Sequence, residues 1–240
     1  MRIVLIGAGG GIGNALLRRC ADMLPSTQIE ATYLNRHPDI NGGKVNWHQL
    51  DLTKEDQIET FSHQFEQVDW LINCVGILHC KHHGPEKSIR QLDSDFFMDN
   101  IKRNTLPTLL LAKYFQDKLM PNSTNPQTYA KLVTLSARVG SIGDNRLGGW
   151  YSYRASKTAL NMAIKTLHLE WQRMNRDIAV MALHPGTTDT ELSRPFQRNL
   201  PDGQLMSAEQ GAEHLFTQIA NLTLEDSGGF MDFKGRPIPW

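Results

Sequence analysis

Apolar and polar positions change period repeatedly along this chain. Arg2–Ile6 is a short, near-continuous apolar run ended by glycines, which predicts a strand buried on both faces. Residues 12–24 follow with helical spacing at Leu16, Leu17 and Cys20, stopping at Pro25. Further strands are predicted over 29–34, 45–50, 68–75, 129–135, 178–183 and 229–233. Helices are predicted between them: one opening at Thr53 as N-cap, one long helix within 93–120, another over 153–174, and a capped helix over 207–221. Strands alternating with helices of this length imply right-handed crossovers and a parallel sheet. The fold class is therefore α/β, a Rossmann-type doubly wound parallel sheet of about seven strands with helices on both faces. Such sheets bind ligands at the carboxyl ends of their strands.

Composition narrows the picture. The chain has 240 residues, and 25 Lys+Arg balance 25 Asp+Glu, so no nucleic acid or anionic membrane is expected as a partner. No run approaches the ~18 apolar residues of a membrane helix, and the start lacks the pattern of a secretory signal. The three cysteines, Cys20, Cys74 and Cys80, are too scattered for a disulfide framework. A cytoplasmic protein with one domain over 1–240 is expected, since neither linker nor internal repeat interrupts the pattern.

Candidate chemistry begins in the first turn. Gly7-Ala8-Gly9-Gly10-Gly11-Ile12-Gly13 lies between the first strand and first helix. Glycine backbones there admit a phosphate, and the helix N-terminus offers unpaired N–H groups. At the end of the second strand, where an acidic residue would bind ribose hydroxyls, stand Asn35 and Arg36. A guanidinium favours a 2′-phosphate, so NADP(H) is expected ahead of NAD(H). Asp39 is expected to be carried past the ribose by a turn at His37-Pro38. Tyr153 and Lys157 are four residues apart and share a helical face. A phenol of pKa ~10 is a poor proton donor or acceptor at neutral pH, and a neighbouring ammonium is expected to lower it. Tyr151 is not the equivalent, because residue 155 is Ala. His79-Cys80-Lys81-His82-His83 lacks metal-ligand spacing and reads as a polar loop near the pocket, so no metal is expected.

These motifs, in this order, resemble the short-chain dehydrogenase/reductase family over nearly the whole chain. The first turn matches G-x3-G-I-G, with Gly7, Gly9, Gly11, Ile12 and Gly13 in it. Asp51-Leu52-Thr53 stands at the family's adenine-holding Asp. Asn73-Cys74-Val75-Gly76 matches N-N-A-G, and Asn104 falls at the helix-borne Asn. Tyr153 and Lys157 form the Y-x3-K pair, and Pro185, Gly186, Thr188 and Thr190 fit the P-G-x3-T at the nicotinamide end. The resemblance implies that Tyr153 is the acid/base and that Lys157 tunes it while holding the nicotinamide ribose. It also implies that Asn104 orders a water feeding protons to Lys157. One departure stands out. The family's S-S-x-x-G reads Ser136-Ala137-Arg138-Val139-Gly140 here, so alanine replaces the serine that polarises the carbonyl. Either the strand end bends to bring in Ser136, which is favoured, or Ser141 substitutes, or the site works without that hydroxyl.

Within the family, the stretches from Gly140 to Ile142 and Gly148 to Arg154, and the ending Asp232 to Trp240, are similar to the C-factor-like and sniffer-like carbonyl reductase group. The resemblance implies an NADP(H)-dependent oxidoreductase interconverting a small, partly apolar carbonyl and its alcohol, assembled as a homodimer or homotetramer. The alternative is a C-factor-like signalling or regulatory protein that keeps NADP(H) as a structural ligand.

Overall fold

The computed structural model describes residues 1–35, 37–38, 45–121, 128–201 and 203–240. Seven strands form one sheet: β1 (Arg2–Ile6), β2 (Gln28–Tyr33), β3 (Val45–Gln49), β4 (Trp70–Asn73), β5 (Ala130–Leu135), β6 (Ile178–His184) and, last in the chain, β9 (Gly229–Asp232). Their order is β3-β2-β1-β4-β5-β6-β9, and every neighbouring pair is parallel. Two further two-residue strands, β7 (Thr187–Thr188) and β8 (Leu205–Met206), pair apart from this sheet.

The near-continuous apolar reading of the strands has a simple cause: both faces are covered. Ile3 and Leu5 of β1 pack with Leu16 and Leu17 of α1 (Gly11–Met23) and Leu215 and Ile219 of α6 (Ala208–Asn221). Val4 and Ile6 point the other way. They meet Ile58 of α2 (Glu55–Ser62), Phe115 of α4 (Leu106–Phe115) and Ile164 and Trp171 of α5 (Tyr151–Arg173). Ser207 caps α6 in a reciprocal capping box with Gln210.

Two expectations about helices are corrected. Thr53 does not cap α2. Its N–H and hydroxyl both turn back to Asp51 Oδ1, and Lys54 becomes the N-cap. The long helix of 93–120 is two helices, α3 (Ser94–Asn104) and α4, broken at Thr105. Pro107 has no N–H to give the carbonyl one turn back and its ring crowds that carbonyl, so the helix restarts. The break docks on α5: Thr105 Oγ1 donates to the Ser156 carbonyl at 2.8 Å, and Asn104 Nδ2 to Ser156 Oγ at 2.9 Å.

Among the described residues, no helix is long and apolar enough to cross a membrane.

Candidate active site

The motif residues gather at the carboxyl ends of β1, β4, β5 and β6. Gly7 leaves β1 with φ +79°. Its N–H donates to Thr32 Oγ1 at 2.9 Å, and the Gly9 N–H donates to the Thr32 carbonyl at 3.3 Å, so β2 pins the turn. At Gly13 an added Cβ would lie 2.2 Å from the Gly7 carbonyl oxygen, which only glycine avoids. Ile12 packs against the α1-side core, and no side chain caps the start of α1. That leaves main-chain N–H groups and the positive end of the helix dipole facing outward. The 185–190 segment reaches the same turn: a Cβ on Gly11 would lie 2.7 Å from Thr190 Cγ2.

Around the turn, Asn35 is exposed, and Arg36 and Asp39 lie outside the described residues. Tyr33, His37 and Trp47 form an aromatic cluster beside Gly9, with ring centroids 5.1–6.3 Å apart. The two hydrogen bonds from Thr53, chiefly the one from its backbone, hold the Asp51 carboxyl below the usual carboxylate range. Leu52 beside it is buried. Asn73 is turned inward. Its Nδ2 donates to Thr108 Oγ1 at 3.0 Å, while its Oδ1 receives the Val75 N–H at 3.0 Å and shapes the turn toward Gly76. Burial pushes the Cys74 thiol up to about 12, so it stays a neutral thiol.

Tyr153 and Lys157 stand on the first turns of α5, both buried. Lys157 Nζ lies 5.9 Å from the Tyr153 ring centroid and donates to the Leu135 carbonyl at the end of β5, at 2.9 Å. Burial lowers the Lys157 ammonium to about 8. It also pushes the Tyr153 phenol above its ordinary value, opposite to the lowering expected from the ammonium alone. Asn104 clamps the main chain of Ile77 from both sides: Oδ1 receives the N–H at 2.7 Å and Nδ2 donates to the carbonyl at 2.9 Å. Gly76 separates Asn104 from Lys157. A Cβ there would sit 3.2 Å from Asn104 Oδ1 and 3.2 Å from Lys157 Nζ.

The serines do not join this group. Ser136 is buried, and its hydroxyl donates to Asn161 Oδ1 on α5 at 2.6 Å, so its proton is already committed. Ser141 donates to the Pro239 carbonyl and receives the Asp144 N–H at 3.0 Å. Strand alternation explains the first case: residue 136 continues the β5 face that packs on α5, and the next residue is Ala137.

On the remaining side, Gly186 takes φ +74° after Pro185, and Thr188 is buried in the β7 ladder. Ser193 braces this segment by donating to the Thr188 carbonyl at 2.6 Å and receiving the Thr190 N–H at 3.2 Å. An aromatic wall closes over Tyr153. Trp150 lies 6.3 Å from the Tyr153 ring and 5.2 Å from Phe196, and Phe196 lies 6.0 Å from His79. Sequence reasoning missed Trp150, Phe196, Ser193 and the buried Glu86. Only the Gly148-Gly149 doublet signalled an unusual turn before α5.

Comparison with known proteins bears on the family and the fold. A family model described as short chain dehydrogenase matches residues 1–201. The chain is 28% identical over 244 residues to the 1-hydroxy-2-glutathionyl-2-methyl-3-butene dehydrogenase of Rhodococcus sp. (strain AD45), covering 99% of each chain. It is 32% identical over 110 residues to the C-signal of Myxococcus xanthus, which spans 46% of this chain and 61% of that one. Among solved structures, the carbonyl reductase Sniffer of D. melanogaster has the same fold, with TM-score 0.86 at 24% identity, covering 100% of this chain and 99% of that one. The NADPH-bound carbonyl reductase from chicken fatty liver follows with TM-score 0.82 at 22% identity, covering 100% of both. The glycine turn, the buried Tyr153 and Lys157 on one helix, and the match over residues 1–201 lead to one statement: the chain belongs to the short chain dehydrogenase family of oxidoreductases.

Proposed function

We propose that this chain is an NADP(H)-dependent oxidoreductase that interconverts a carbonyl and an alcohol, with Tyr153 as acid/base. One observation carries the reading: a buried phenol and a buried ammonium share a helical face where the β5 end meets α5. The residues present fit a dinucleotide, because the turn is packed so closely that a Cβ at Gly11 or Gly13 would strike Thr190 or the Gly7 carbonyl, and no side chain caps the start of α1 that follows it. Gly7, Gly9, Gly11, Ile12 and Gly13 would hold the pyrophosphate, Asp51 and Leu52 the adenine, and Asn73, Cys74 and Gly76 would shape the adjoining wall. Pro185, Gly186, Thr188 and Thr190 would border the nicotinamide. Asn35 and Arg36 would choose the 2′-phosphate. That choice draws on the sequence at Arg36 and on the NADPH bound to the chicken relative.

When bound, NADPH supplies the hydride for the carbonyl carbon. Tyr153 donates its hydroxyl proton to the carbonyl oxygen, and its raised pKa keeps the phenol loaded at neutral pH. The Lys157 ammonium, still protonated at pH 7, offsets the charge that develops on the phenolate. Asn104 retains a lone pair on Oδ1 and would hold a water beside Gly76 that passes a proton from solvent by way of Lys157 to the Tyr153 phenolate. Ala137 leaves no serine hydroxyl at the family's polarising position, so Tyr153 is the principal donor to the substrate oxygen. Trp150, Phe196 and His79 suit a small, partly apolar substrate. Exposed Leu106 and Leu109 on α4 with Met162 and Leu169 on α5 support a homodimer or homotetramer.

The test follows NADPH absorbance against a panel of aldehydes, ketones and quinones, with Tyr153→Phe alongside. Turnover that the variant loses supports the reading; equal rates in both proteins refute it. Arg36→Asp should weaken NADPH binding far more than NADH binding. The second reading, a signalling protein with NADP(H) as a structural ligand, draws on Ala137 and on the similarity to the C-signal. It predicts tight NADPH binding, no turnover, and indifference to Tyr153→Phe.

A further inference from the structure

Glu86 is a buried carboxylate in the loop after β4, and it belongs to none of the family motifs. Its side chain crosses to the start of α5, 66 residues further on. Oε1 accepts from Ser152 Oγ, and Oε2 accepts the Ser152 N–H at 3.2 Å. Its main-chain carbonyl accepts the Trp150 N–H at 2.5 Å. Trp150 precedes the helix in the left-handed region, at φ 54° and ψ 42°, and offers no side-chain cap of its own. The first-turn N–H groups of a helix need partners, and a buried anion there also meets the positive end of the dipole.

The turn before α5 is held from a second side. Gly148 and Gly149 have φ of +63° and +66°, and Arg154 donates to the carbonyls of Gly149 at 3.0 Å, Gly148 at 3.3 Å and Val139 at 3.1 Å. Three consecutive residues at positive φ are sparsely populated without such support. Glu86 thus fixes the residues on which two features of the site depend. Ser152 immediately precedes Tyr153, and the Trp150 ring stands against Tyr153 and Phe196.

We infer that Glu86 is a positioning residue: it caps α5 from the loop after β4 and so sets the placement of the Tyr153 hydroxyl and the Trp150 wall. It does not touch the reacting atoms. Its effect on turnover rests on the reductase reading, whereas its effect on the helix start does not. A carboxylate is the group that can accept from both Ser152 donors. A carboxamide can accept the N–H and donate to the hydroxyl, which rotates to receive it, whereas alanine can do neither.

The experiment compares Glu86→Ala, Glu86→Gln and Ser152→Ala with the wild-type chain. It measures steady-state rates, NADPH affinity, and amide hydrogen exchange by mass spectrometry. In Glu86→Ala, kcat is expected to fall about 30-fold or more, as a displaced acid/base implies, with NADPH affinity within about threefold. The peptide spanning residues 148–157 should exchange at least about threefold faster while the β1 and β5 peptides stay unchanged. Glu86→Gln should recover most of kcat and protection, which loss of general stability would not do selectively. Ser152→Ala should lower kcat by about fivefold, and serves also if Glu86→Ala fails to fold. Unchanged kcat in both alanine variants, or loss of kcat only in proportion to folded protein, overturns the inference. Unchanged exchange over 148–157 also overturns it. If the wild-type chain turns over no carbonyl while Glu86→Ala still speeds that exchange, the reductase reading fails and the anchoring stands.

Discussion

The Ser136 hydroxyl and the Asn161 side chain satisfy one another where β5 meets α5, the hydroxyl donating to Oδ1 at 2.6 Å with both residues buried. Ser136→Ala would leave that oxygen unpaired, at a cost of about 1–3 kcal/mol. A lower denaturant midpoint with kcat within about threefold is the expected result. A polarising donor would behave differently, its removal lowering kcat about 100-fold or more. A loss of that size without loss of stability would restore Ser136 to the site.

Two glycines should give opposite readouts when changed to alanine. The methyl of Gly76→Ala would enter between Asn104 Oδ1 and Lys157 Nζ, 3.2 Å from each. Turnover should drop about tenfold or more, with NADPH affinity nearly intact. The methyl of Gly13→Ala would meet the Gly7 carbonyl at 2.2 Å and force the first turn open. NADPH binding, measured by calorimetry, should be lost there before any question of rate arises.

The Lys157 ammonium, lowered to about 8 by burial, gives activity a pH dependence with a definite sign. Reduction needs the charged lysine beside the developing phenolate, so kcat for carbonyl reduction should be level near pH 7 and fall as pH rises through about 8. In folding, the same shift acts in the other direction. Between about 8 and the ordinary 10.5 the folded chain binds fewer protons than the unfolded one, so this group's contribution to stability grows across that window. Lys131, lowered to about 8 by burial, adds a like contribution. Rate profiles and denaturant midpoints over pH 7–10 check both signs. A reduction rate that climbs through pH 8 would contradict the assigned role.

Phe196→Ala removes the ring that bridges Trp150 and His79. Aromatic pairs contribute roughly 0.5–1.5 kcal/mol beyond burial, so KM for an aromatic aldehyde should rise severalfold to about tenfold. An aliphatic aldehyde should be affected less, and kcat should change little for either. Equal KM changes for the two substrates would remove Phe196 from the substrate wall.

What could be read in advance was local. The apolar runs, the glycine turn, the Tyr153/Lys157 spacing and the Ser207 cap depend on neighbours within a few residues, and each appears in the fold. Long helical periodicity over 93–120 concealed the break that Pro107 enforces, because α3 and α4 each bury one face, at Phe96, Asn100 and Asn104 in the first and at Leu110, Leu111 and Phe115 in the second. The direction of Ser136 required knowing that Asn161 stands across from it. The burial of Tyr153, which raises its phenol where the spacing to Lys157 alone leads to an expectation of lowering, is a property of packing that the Tyr-x3-Lys spacing does not carry. Glu86 was illegible for the same reason: its partner is Ser152, far along the chain, and nothing near residue 86 marks it as a helix cap.

The left-handed turn at residues 148–150 also bears on how a site of this kind could be remodelled. Its glycines occupy backbone angles that other residues reach only with strain, and Glu86 and Arg154 grip its main chain. The side chains of Phe196 and His79 contribute ring contacts. Divergence toward new substrates should therefore proceed by exchange at 79 and 196, with 86 and 148–150 held fixed. A directed-evolution library would be most productive when randomised at those two positions.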